Sequence, residues 1–132
     1  MKYLLDSDVL AGAIKGRLPV VLRLSELKPT DVAVSIFGRV EAETALRLLP
    51  RAQAQYGKLL KEMLSSVQVL DFGAAEAQQA VSLSAYLRSA DEPLAAFDLL
   101  HAATALAHQL TLVTERVAVF AGVPNLDVER WS

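Results

Sequence analysis

Four short apolar runs, set apart by helix-length segments, constrain this chain more than any other feature. They are Lys2–Asp6 (KYLLD), Val32–Ser35 (VAVS), Val67–Leu70 (VQVL) and Leu110–Thr114 (LTLVT). A strand covered on both faces loses the polar–apolar alternation of a half-exposed one. Runs like these therefore predict buried strands of a parallel sheet joined by helical crossovers. The segments between them read as helices over roughly Val9–Ile14, Val20–Leu27, Ile36–Leu49, Gln53–Ser65, Ala74–Ser89 and Leu94–His108. Leu and Ala, at 23 and 21 of 132 residues, favour them. Pro19, Pro29, Pro50 and Pro93 are expected between helices, where a missing N–H costs least. The pattern predicts one domain over residues 1–132: an α/β three-layer sandwich with a central parallel sheet flanked by helices.

Composition removes several functions. Without cysteine there is no disulfide framework, zinc ribbon or thiol nucleophile. Asp6 interrupts the N-terminal apolar stretch before a signal core of ~7–15 residues can form. The longest stretch without a formal charge, Leu99–Thr114, is too short and too polar for a span of ~20 apolar residues. A soluble, cytoplasmic protein with no membrane partner is expected. Thirteen Lys+Arg against 15 Asp+Glu give −2, without the basic excess usual in a nucleic-acid binder.

In a parallel sheet, ligands bind outside the carboxyl ends of the strands. Asp6 follows two apolar strand residues and is expected at such an end, with Asp6, Ser7 or Asp8 capping the next helix. Capping needs only one acid; a second beside it repels the first unless a cation or proton intervenes. Ser35 suits a helix N-cap, and Glu41 lies about two turns on, toward the more apolar side. Glu43 is placed to pair with Arg47 instead. Asp98 is the one formal charge in the apolar stretch Pro93–Ala107, with no Lys or Arg within a helical turn. A buried carboxylate there is costly unless paired, coordinated or held at a helix end. Carboxylates converging in this way suit a hard divalent cation, Mg²⁺ or Mn²⁺. His101 and His108, seven residues apart, lack the spacing of a helical zinc pair, so His101 reads as a supporting or packing residue.

Taken in order, Leu4-Leu5-Asp6-Ser7-Asp8, Ser35-x-x-Gly38-x-x-Glu41, Phe97-Asp98-Leu99-Leu100-His101-Ala102-Ala103, Leu112-Val113-Thr114, Phe120 and Trp131 resemble a PIN domain. The closest subgroup is the VapC-type toxin of bacterial toxin–antitoxin pairs. The resemblance implies a Mg²⁺- or Mn²⁺-dependent endoribonuclease with an RNA substrate. It also implies a homodimer and a VapB-like antitoxin whose segment blocks the acidic cleft. Asp6, Glu41 and Asp98 match the family's three acids, Asp8 stands where Asn is usual, and Thr114 opens the last motif. Ser7 and Arg39 are further candidates; spacing alone puts Arg39 about one turn from the site, as a phosphate contact. Three positions depart from the family: Arg116 replaces the usual Asn, Val119 the usual fourth acid, and Gly38 the usual Ser or Thr. The missing acid motivates an alternative, a PIN-type module that binds RNA or protein without cutting.

Asp6-Ser7-Asp8-Val9-Leu10 also looks like the nucleophile motif of haloacid-dehalogenase phosphatases. That chemistry and a phospho-receiver both need a late Lys, and none follows Lys61. Leu46, Leu48, Leu49, Leu59, Leu60, Met63 and Leu64 exceed one core-facing stripe and suit either an interface or a thick core. Setting aside Asp6, Asp8, Glu41, Glu43 and Asp98 leaves 10 acids against 13 bases, a balance of +3. The near-neutral total thus predicts an acidic cleft in a mildly basic surround.

Overall fold

The computed structural model describes residues 1–132. Five strands, β1 (Tyr3–Leu5), β2 (Val32–Ser35), β3 (Gln68–Leu70), β4 (Thr111–Val113) and β5 (Val128–Glu129), form one sheet in the order β3-β2-β1-β4-β5. Every neighbouring pair is parallel. The six helices are α1 (Ser7–Ile14), α2 (Leu18–Ser25), α3 (Ile36–Arg47), α4 (Pro50–Ser66), α5 (Ala74–Ser89) and α6 (Ala96–His108).

Successive strand side chains point to opposite faces, so each strand feeds two cores. Leu4, Ala33 and Leu112 pack with Leu83 and Leu87 of α5 and Ala102 and Ala105 of α6. Leu5, Val34 and Val113 pack with Val9 and Leu10 of α1, Val20 of α2, Leu46 of α3 and Leu60 of α4. Leu4 and Leu5 are wholly excluded from solvent. Truncating either to Ala is expected to cost about 2–5 kcal/mol.

The expected strands stand where the apolar runs lie, each within a residue or two. The fifth, β5, is two residues long and pairs Val128 with Leu112. Two prolines depart from expectation. Pro19 and Pro50 sit in the first turns of α2 and α4, not between helices. There the N–H has no intrahelical partner and the fixed φ suits a helix start. The apolar excess on α3 and α4 divides: Leu46 and Leu60 are in the core, while Leu48, Leu49 and Leu59 are exposed.

This topology positions the site. Strand order reverses between β1 and β4, and the crevice at such a switch point opens at the strands' carboxyl ends. Asp6 leaves β1 there and Thr114 leaves β4 beside it.

Candidate metal centre

Asp6 is fully buried at the N-cap of α1. Its Oδ1 accepts the Ser7 N–H at 2.8 Å. Its Oδ2 accepts the Thr114 hydroxyl at 2.8 Å and Arg116 Nη2 at 2.9 Å. Capping and cluster membership are thus shared between the two oxygens of one carboxylate. Ser7 contributes its backbone N–H; its side chain is half-buried.

Glu41 enters from α3, whose start is fixed by Ser35: the Ser35 hydroxyl accepts the Gly38 N–H at 2.9 Å. The same hydroxyl lies 2.9 Å from His101 Nδ1, and His101 Nε2 lies 2.7 Å from Glu41 Oε1. The Glu41 carboxylate can only accept, so the ring presents an N–H at Nε2, which leaves Nδ1 to accept the Ser35 hydroxyl proton. The network therefore assigns the ring hydrogen to Nε2, donating to Glu41. A Cβ on Gly38 would stand 3.1 Å from Val34 and 3.5 Å from Ser35 Oγ, so the absence of a side chain here lets α3 start tightly against β2. Asp6, Glu41 and His101 each present an atom within 4.8 Å of the others.

Asp98 lies in the first turn of α6, where free N–H groups favour an acid. Its cation comes from far along the chain. Arg116 Nη2 donates to Asp98 Oδ1 at 2.7 Å and Nη1 to Oδ2 at 3.2 Å. These bonds, chiefly that to Asp98, push the Arg116 pKa up further still, against partial burial. The Arg116 backbone N–H also donates to Thr114 Oγ1, at 3.0 Å.

Asp8 sits at the edge of this cluster, in the first turn of α1. Its Oδ2 accepts the Glu115 N–H at 3.1 Å, while its Oδ1 is buried without a hydrogen-bond partner. Burial, and then the charge of Asp6, push its pKa up. Glu115 itself pairs with Arg17.

One pairing differs from expectation. Glu43 pairs with Arg39 at 3.3 Å, not with Arg47. Arg39 is therefore engaged one turn along α3. The arginine on the cluster is Arg116, which the motif comparison marks only as a departure. Phe37, in the first turn of α3, stacks edge-on to Phe72 at 5.0 Å and tilted to Phe97 at 6.1 Å. Phe97 precedes Asp98 and is 41% exposed.

The donor set fits a hard divalent cation. It is rich in carboxylate oxygen, one buried oxygen has no partner, and a positive group already bridges Asp6 and Asp98. His101 Nε2 is turned to Glu41, so it supports that acid in preference to ligating.

Known proteins bear the same pattern. A family model described as PIN domain matches residues 3–115. Ribonuclease VapC2 of Rickettsia felis is 28% identical over 133 residues, covering 99% of this chain and 98% of that protein. The crystal structure of VapBC2 from Rickettsia felis bound to a promoter DNA fragment superposes with a TM-score of 0.89 at 27% identity, covering 100% of both chains. FitAcB from Neisseria gonorrhoeae superposes with a TM-score of 0.82 at 25% identity, covering 96% of this chain and 95% of that one. DNA-bound VapBC from Salmonella typhimurium shares the fold, with a TM-score of 0.91 at 20% identity over 100% of this chain and 99% of that one.

Proposed function

We propose that this chain, which belongs to the PIN-domain family, is a divalent-metal-dependent endoribonuclease acting as the toxin of a toxin–antitoxin pair. The observation that carries this reading is that Asp6, at the end of β1, lies with Glu41 of α3 and His101 in one group within 4.8 Å and is linked to Asp98 of α6 through Arg116. Asp6, Glu41 and Asp98 would hold Mg²⁺ or Mn²⁺, with Asp8 at the margin. When bound, such an ion makes water a better nucleophile and neutralises charge on phosphate oxygens.

The chain's own residues orient the site. Thr114 fixes Asp6, and His101 fixes Glu41 through a ring that Ser35 holds. The scheme needs no covalent intermediate on the protein. Bare carboxylates repel RNA phosphate oxygens, and a cation held by Asp6, Glu41 and Asp98 would supply the opposing charge there.

For a partner, a cavity of about 340 Å³ runs from Ser7, Asp8 and Glu41 between α1, α3 and α4. Its walls include Ile14, Leu46, Tyr56 and Leu60. A mostly apolar groove with acids at one end suits an antitoxin segment carrying an apolar anchor and a basic residue. Solved structures of the same fold include VapBC2 from Rickettsia felis and a toxin–antitoxin complex from Klebsiella pneumoniae, which supports this reading. Exposed Leu48, Leu49 and Leu59 suit a homodimer contact. No helix is long and apolar enough to cross a membrane.

A second reading, an RNA- or protein-binding module that does not cut, draws on Arg116 bridging two of the acids. Cleavage of an RNA panel in Mg²⁺ and in Mn²⁺, with Asp6→Asn and Asp98→Asn as controls, separates the two. The nuclease reading expects cleavage by the wild type alone. Equal cleavage by all three proteins overturns it; RNA binding without cleavage in either metal favours the module.

A further inference from the structure

Arg116 differs from every other arginine in the chain in what it touches. It forks onto both oxygens of Asp98 and reaches the one oxygen of Asp6 that faces it. Guanidinium is permanently charged and matches carboxylate geometry. The acids it holds are poorly exposed, at 1% for the Asp6 side chain and 13% for Asp98, while Arg116 itself is 43% exposed. The carboxylates are therefore fixed and the cation is the part with an open route to solvent. Its backbone is anchored to Thr114, and its guanidinium carbon lies 5.8 Å from the centre of the Phe120 ring.

We propose that Arg116 is a self-supplied counter-cation occupying the divalent-metal position, so that metal loads only when this side chain swings out. The inference rests on the metal-dependent reading above and names what sets the site's affinity. A guanidinium and a metal ion compete for the same oxygens: Asp98 cannot keep both oxygens on Arg116 and also ligate a cation. Nor can Asp6 Oδ2 serve both from one direction. The competition is intramolecular, so apparent metal affinity is the intrinsic affinity multiplied by the fraction of molecules with Arg116 displaced. With that fraction at about one in ten to one in a hundred, affinity is about 10- to 100-fold below that of the uncovered acids. The arrangement also gives the clustered carboxylates a counter-charge from the chain itself. Arg116 carries the neutralising charge, and a chain with Asn at this position lacks it.

The test is calorimetric titration of the full chain with Mn²⁺, which reads binding and not turnover. Wild type is compared with Arg116→Gln, which keeps length and loses charge, and with Arg116→Lys, which keeps charge and loses the fork. Circular dichroism verifies that each is folded. Arg116→Gln is expected to bind Mn²⁺ at least about 10-fold more tightly than wild type, with Arg116→Lys between them. The Gln variant is also expected to melt lower than wild type in chelator and to recover in Mn²⁺. Equal Mn²⁺ affinity in wild type and both variants, abolished by Asp98→Asn, overturns the role of Arg116 and leaves the metal site standing. Absence of Mn²⁺ binding in every protein overturns both. If Arg116→Gln fails to fold, Arg116→Lys decides: wild-type affinity in that variant counts against the proposal.

Discussion

His101 Nε2 lies 2.7 Å from Glu41 Oε1, and the imidazole making that contact is wholly buried. A helix residue sixty positions from its partner thus fixes the most exposed acid of the cluster: the Glu41 side chain is 30% exposed. Replacing the ring with Phe fills the space but leaves Glu41 unheld and strands the Ser35 proton. His101→Phe is expected to lose about 1–3 kcal/mol in urea denaturation. RNA cleavage is expected to fall about 10- to 100-fold, as for groups that orient metal ligands. Unchanged cleavage with lowered stability would make His101 a packing residue only.

Thr114 holds the opposite side. Its hydroxyl donates to Asp6 Oδ2 and accepts the Arg116 N–H, all within a buried pocket. Thr114→Val keeps the shape and removes both bonds. It is expected to cost about 1.5–3 kcal/mol, because one partner is charged. Thr114→Ser is expected to recover most of that loss in the same denaturation series.

Asp6→Asn and Asp98→Asn should each lower RNA cleavage by about a hundredfold or more, since each removes a charge held for a cation. Chelation of the wild type should abolish cleavage while leaving the melting temperature nearly unchanged, because Arg116 takes up the acids that an ion leaves. A large fall in melting temperature with chelator would show that an ion, not Arg116, holds the cluster.

Phe97 gives the cleft an aromatic edge beside Asp98, backed by Phe37. Stacking of an RNA base there is worth about 1–3 kcal/mol. Phe97→Ala is therefore expected to weaken RNA binding about 5- to 150-fold by fluorescence anisotropy in the Asp98→Asn background, with Phe97→Trp restoring it. Equal binding by all three removes Phe97 from the RNA path.

Away from the cleft, Glu76 accepts from the Gly73 N–H at 3.1 Å and from its own helix start, and meets His108 Nε2 at 2.9 Å. Hydrogen bonds from the backbone at the start of α5, then from His108, lower its pKa from 4.5. A depressed carboxylate stabilises the fold above its unfolded pKa, and the gain is lost as pH falls through the folded value. Thermal melts of Glu76→Gln and wild type should therefore differ at pH 7 and converge as pH drops below about 4.5. A gap that persists unchanged at pH 3 would contradict this.

The sheet and two of its acids were legible because their signals are local. Leu4-Leu5-Asp6 places an acid at a buried strand's end, and Asp98 stands alone in an apolar helix. Asp98's partner was not legible: Arg116 is 18 residues away and 110 from Asp6, and only the packing of β4 against β1 brings them together. The same holds for His101, whose spacing from His108 rules out a zinc pair but says nothing of Ser35 or Glu41. Glu43 chose Arg39 over Arg47 although both lie four residues away on the same helix, a choice that spacing alone does not make. β5 was too short to read, since two residues carry no period.

The central place of β1 in the sheet has a consequence for synthesis. Ribosomes release a chain from its N-terminus at about 5–20 residues per second. Asp6 emerges first, yet its neighbours in the cleft are Asp98, Thr114 and Arg116 from the last third of the chain. β1 must wait for β4 to complete its pairing, so a nascent polypeptide cannot assemble the acid cluster before Thr114 and Arg116 have been made. Arg116, which bridges Asp6 and Asp98, follows Asp98 by only 18 residues, so the last acid of the cluster and its cation are made together.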